Sequence, residues 1–109
     1  MPYMVITNWY PSYKLPEVLK VYPEMLKKYP PNVLAELGEY RVEMAGTATE
    51  KGLKSMNVFE VKEGKLEEAL KTARGALAMF RSIEGYVYTI EVWTTITEGF
   101  ESIGMQAPT

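Results

Sequence analysis

The sequence predicts a single α+β domain over residues 1–109, its elements in the order β-α-β-β-α-β with an antiparallel sheet. Three observations carry that prediction. Short runs rich in β-branched and aromatic residues alternate with longer runs whose apolar residues recur at steps of three and four. The two middle strand-like runs are separated only by a tight turn, which makes them a hairpin. A faint internal repeat relates the halves: Lys14, Leu15, Glu17, Leu19 and Lys20 recur at one fixed offset as Lys65, Leu66, Glu68, Leu70 and Lys71, and Leu26 and Tyr29 as Leu77 and Phe80.

The first strand is read at 3–10, YMVITNWY, and Pro11 and Ser12 end it. A helix follows from about Leu15 to Tyr29 with the stripe Leu15, Val18, Leu19, Tyr22, Met25, Leu26 and Tyr29. Pro16 suits its first turn, whereas Pro23 removes an interior backbone bond and predicts a kink or two shorter helices. Residues 32–38 fit a helical turn or a loop. The second strand spans Glu39 to about Thr49, Glu50, Lys51 and Gly52 turn the chain, and the third strand spans Leu53 to Val61. The second helix runs from Lys65 to about Ile83, its stripe formed by Leu66, Ala69, Leu70, Ala73, Leu77 and Phe80. The last strand occupies 85–95, GYVYTIEVWTT. A short turn of helix around Phe100 and Ile103 and a loose end over 106–109 complete the chain.

Absences restrict the chemistry. The sequence contains no Cys, no His and no Asp, so all 14 acids are Glu. Disulfides, thiol nucleophiles, Ser-His-Asp triads and His-ligated zinc are excluded by inventory, and proton transfer falls to Glu, Tyr, Lys, the termini or water. A net charge of -2 gives no bulk footprint for nucleic acid or an anionic membrane. No apolar run reaches the ~20 residues of a membrane span, and the start lacks a cleavable leader pattern. The chain reads as cytoplasmic, with no membrane and no nucleic-acid partner.

Strand faces follow from the repeat. At its offset Val5 and Thr7 correspond to Met56 and Val58, while Met4, Ile6 and Asn8 correspond to Ser55, Asn57 and Phe59. The first set is greasier at mid-strand and is placed under the helices with Tyr40, Val42, Met44, Tyr88, Ile90 and Val92; Trp9 is also read as helix-side packing. The far face then carries Met4, Ile6, Asn8, Arg41, Glu43, Ser55, Asn57, Phe59, Thr89, Glu91 and Trp93. Both helices cover the same side of such a sheet, which leaves that far face bare and partly apolar. Burying even ~500 Å² of apolar surface favours association by roughly 12 kcal/mol before ordering costs, so a second copy of the chain is the expected cover.

With this element order, and with the segments FEVKEGKLEEAL and AMFRSIEGYVYTIEVW, the chain resembles the dimeric α+β barrel superfamily, whose protomers are ferredoxin-like. The resemblance covers residues 3 to about 95, and no invariant catalytic motif is matched. It implies a homodimer joined through the sheet face and a pocket between two sheets, occupied by a small, largely apolar ligand. It extends to cofactor-independent enzymes of monooxygenase or isomerase type as well as to non-catalytic effector-binding and assembly modules. Haem-dependent members commonly use a His ligand, which this chain lacks, and no cofactor is expected.

Within that frame Glu91 and Glu43 are the acid–base candidates, since a carboxylate lifted from water has its pKa raised toward neutrality. Their structural alternative is an interface ion pair with Arg41 or Lys54. Asn8 and Asn57 are candidates to orient a carbonyl or dioxygen, or alternatively to bond across the dimer. Trp93 and Phe59 form either an aromatic wall for a flat ligand or dimer core. Ile6, Arg41 and Thr89 complete the expected ligand-binding set. An RNA-binding role needs stacking aromatics on the first and third strands, where this face offers Phe59 alone and adds Glu43 and Glu91.

Overall fold

Strand β1, Tyr3–Tyr10, alternates half-buried and buried residues up to Asn8, the period-two signature of a strand with one covered face. A 3₁₀ turn, Ser12–Lys14, leads into helix α1, Leu15–Lys28, which runs through Pro23 without a break. The carbonyl that Pro23 deprives of a partner belongs to Leu19, and Leu19 is 60% exposed, so water can serve it. Residues left between loop and helix by the sequence form helix α2, Pro31–Leu37, opened by a proline at its first position. Strands β2, Gly38–Thr49, and β3, Gly52–Val61, make the expected hairpin. Helix α3, Leu66–Ala78, is shorter than expected at its C-terminal end. Beyond it, bonds such as Phe80 N–H to the Leu77 carbonyl and Ile83 N–H to the Phe80 carbonyl wind the chain in tighter turns that bring Phe80 and Ile83 together inside. Strand β4, Val87–Trp93, and helix α4, Ile96–Ser102, follow. The computed structural model describes residues 1–106, and the loose end read over 107–109 lies outside them.

The strands form a four-stranded antiparallel sheet in the order β2-β3-β1-β4. Each strand–helix–strand crossover therefore passes over one intervening strand: β1 to β2 over β3, and β3 to β4 over β1. The main core lies between this sheet and α2 and α3, and holds Met4, Ile6, Phe59 and Val61 against Leu37, Ala69, Ala73 and Leu77. A second cluster packs Val18 of α1 on Phe80 and Ile83. No helix is long and apolar enough to cross a membrane among the described residues.

This arrangement corrects the faces read from the sequence for β1 and β3, while those of β4 stand as read. Directly opposed residues in an antiparallel pair share a face. Met4, Ile6 and Asn8 oppose Phe59, Asn57 and Ser55 on one side and Val92, Ile90 and Tyr88 on the other. This set, with its buried members, lies under the helices, whereas Val5, Thr7, Trp9, Met56 and Val58 face the bare side. Tyr40 is helix-side as expected, but register shifts on both sides of Val42 move that residue opposite Val58, onto the open face. Trp9 lies there too, with the Lys54 ammonium 5.5 Å from its ring centroid.

The molecule measures 49 × 32 × 18 Å, and its thin dimension matches one sheet and one helix layer. Its radius of gyration, 15.6 Å, exceeds the ~13 Å of a compact 100-residue domain. The β2–β3 hairpin accounts for the excess: every residue from Glu43 to Lys51 is exposed, so its tip runs out past the helices.

Candidate functional site

A cavity of about 440 Å³ opens between the sheet and part of the helix layer within one chain. Met4, Ile6, Asn8, Ser55, Asn57 and Phe59 make its floor. Tyr22 and Met25 of α1, Tyr29 just past its end, and Leu34 and Leu37 of α2 form one wall. The facing wall is α3, which presents Ala69, Thr72, Ala73 and Ala76. These short side chains cannot reach across the gap, and that is the sequence origin of the space. At Gly75 the two walls meet instead, since a Cβ there would collide with the Tyr29 hydroxyl.

The floor is apolar except at one end. Tyr86 Oη donates to Asn8 Oδ1 at 2.8 Å, and Asn8 Nδ2 donates to Ser55 Oγ at 3.3 Å. Asn57 Oδ1 accepts from the backbone N–H of Met44 at 2.8 Å. Both asparagines are buried, Asn8 at 4% and Asn57 at 8% exposure. Met44 has φ 52°, in the left-handed region that non-glycine residues seldom enter. It lies within the second register shift of β2, where the strand has left its regular ladder and a backbone N–H is free to meet a side chain. Tyr86 stacks on Tyr10 with ring centroids 5.6 Å apart and on Phe80 at 5.0 Å. Burial, with Tyr10 beside it, pushes the Tyr86 phenol up from its ordinary pKa. Burial also raises Tyr40, helped by the nearby Glu43 carboxylate and by Tyr22.

The residues singled out in the sequence divide between the two faces of the sheet. Ile6, Asn8, Asn57 and Phe59 line the cavity, and the exposed Glu43 stands at its edge. Thr89, Glu91 and Trp93 lie exposed on the open face of β4, with Trp93 at 58%. Arg41 points away from the cavity and binds Glu60 at 2.8 Å, with Glu39 at 3.7 Å. These groups cannot act together on one bound molecule, which corrects the single shared site drawn from the sequence. Ser55, Tyr86 and the small residues of α3 belong to the site and were not among the candidates. The phase of Tyr86, Tyr88 and Ile90, shared with Asn8, was the available signal for Tyr86.

Among the described residues no group of His, Cys, Asp or Glu is placed to hold a metal ion. Comparison with protein-family models, curated proteins and solved structures yields no match to this chain.

Proposed function

We propose that this chain binds a small, largely apolar molecule, and that it does so in the cavity between its own sheet and helices rather than between two sheets. The observation that carries this reading is a cavity of about 440 Å³, floored by apolar side chains and ended by two buried asparagine amides. Ligand pockets typically span ~300–1,000 Å³ and combine apolar lining with a few placed polar groups. A well-packed interior of this size leaves few voids larger than a water molecule.

The same proposal makes the chain a ferredoxin-like protomer of an α+β barrel homodimer. The crossovers that each pass over one strand, and helices α1, α2 and α3 gathered on one face, support it. So does the bare face, where Val5, Val42 and Val58 lie among Trp93, Val87 and Met56, the last three exposed at 58%, 55% and 38%. Contiguous apolar surface of this kind marks association sites.

Binding, rather than catalysis, is the activity favoured. Of the two acid–base candidates Glu91 faces away from the cavity, and only Glu43 borders it. Thermal-shift titration with small aromatic hydrocarbons and ketones tests the reading. A ligand at a hundredfold excess over its Kd stabilises the fold by about 2.7 kcal/mol and raises the melting temperature accordingly. A panel that leaves the melting temperature unmoved sinks it.

A further inference from the structure

The polar end of the cavity is one-sided. The Asn57 amide has a single admissible orientation, because the backbone N–H of Met44 can only donate and so requires Oδ1 on its side, at 2.8 Å. That leaves Nδ2 with two hydrogens on the other side. Among the described residues no hydrogen bond uses this nitrogen, yet no fully enclosed side-chain nitrogen or oxygen lacks a partner. Nδ2 therefore meets accessible space. Asn57 is 92% buried (8% exposed) and lines the cavity, so that space is the cavity.

The neighbours add to the asymmetry. Asn8 Oδ1 is engaged by Tyr86, and Ser55 Oγ accepts from Asn8 and so keeps its own hydrogen to donate. Charge narrows the choice further. Among the described residues the lining contains no Lys or Arg, and its only carboxylates, Glu39 and Glu43, come from the strand that carries Met44. A buried anion would lack a compensating cation and would face these acids.

Resting on the cavity-binding reading, we infer that the ligand is a neutral apolar molecule bearing a carbonyl oxygen, as in a ketone, quinone, ester or lactone. Its oxygen accepts from Asn57 Nδ2, and the corresponding carboxylates are rejected. The left-handed Met44 holds the amide in this orientation, so the local strain serves recognition.

Three probes of matched shape test the inference by calorimetry: 2-acetylnaphthalene, 2-ethylnaphthalene and 2-naphthoate. The native chain is expected to bind the ketone about tenfold more tightly than the hydrocarbon, the scale of one net hydrogen bond, and to bind naphthoate most weakly. Asn57→Asp at pH 8 keeps an oxygen for the Met44 N–H and removes the donor, so the preference for the ketone should vanish. The carbonyl stretch of the bound ketone should drop in frequency in the native chain and not in the variant. Equal affinity for ketone and hydrocarbon in the native chain, or tighter binding of naphthoate, overturns the inference and leaves cavity binding standing. Failure of all three probes to bind overturns both. The native-chain affinities and the stretching frequency decide the matter even if the variant does not fold.

Discussion

Filling the cavity from its α3 wall should stabilise the fold, contrary to the usual result of enlarging a core residue. Ala73 is buried and lines the space, so Ala73→Leu adds three carbons toward it. At about 0.8 kcal/mol per buried carbon the gain is about 2.4 kcal/mol. Ordering the leucine side chain costs about 0.5–1 kcal/mol, which leaves about 1.5 kcal/mol. For a domain of this size that corresponds to a melting temperature higher by roughly 6–12 °C. Urea denaturation should show the midpoint moving up with an unchanged slope, because the surface exposed on unfolding barely changes. The same variant should bind small aromatic probes at least tenfold more weakly. In a tightly packed interior the extra carbons would instead force neighbours off their rotamers at a cost of about 1–3 kcal/mol. A lower midpoint of that size would show that the walls already touch, and the binding proposal would fall with the cavity.

Other expectations follow from single contacts. Val58→Lys places an ammonium on the bare sheet face and should weaken self-association at least a hundredfold by sedimentation equilibrium, since an unpaired buried charge costs several kcal/mol; an unchanged association constant would remove that face from the interface. Met44→Gly relieves a left-handed conformation that costs a non-glycine residue about 1–2 kcal/mol, so it should be neutral or stabilising by about 1 kcal/mol in urea melts, whereas Met44→Val should destabilise. Tyr86→Phe leaves Asn8 Oδ1 without its donor and should cost about 1–3 kcal/mol. In the native protein this phenol, raised by burial, contributes stability that is complete below its ordinary value of 10.0 and declines as pH climbs above it, with the variant lacking the decline. The hydrogen bond from Arg41 holds Glu60 below the ordinary carboxylate value of 4.5. Its contribution is present above that value and lost as pH falls through the lowered one, so Glu60→Gln should flatten the acid limb of the stability curve; parallel curves would mean the exposed pair adds nothing.

The element order was legible because it rests on periodicity, which survives without tertiary information. The repeat also placed α1 and α3 correctly. What misled was the polarity of Asn8 and Asn57. In a single sequence two asparagines mark a strand face as outward, and greasier Val5, Met56 and Val58 make the opposite face look like core. Here the amides are buried because they end a cavity and are hydrogen-bonded, a condition set by residues far along the chain, Met44 and Tyr86. Phe59 and Val61 near the end of β3, with Met4 and Ile6 of β1, held the contrary evidence. Val42 was misplaced for another reason: irregular pairing on both sides of it breaks the strict alternation on which strand faces depend. The start of α4 carries a local signal of its own. Thr95 and Glu98 form a capping box at the start of α4, with each side chain bonding the other's backbone N–H, a pattern visible as T-x-x-E.

Because the cavity borders both apolar clusters, the interior is not one continuous block. Helix α1 is anchored through Val18, its sole buried residue, and the half-buried Val21, Tyr22 and Met25, whereas β1 and β3 are zipped together along nearly their whole lengths beneath α3. The two regions should exchange amide hydrogens with solvent as separate units, α1 through partial openings of low free energy and the central strands only when the entire fold comes apart. An occupant bridging floor and wall would fuse them, so slower exchange in α1 would report occupancy before any chemistry is known.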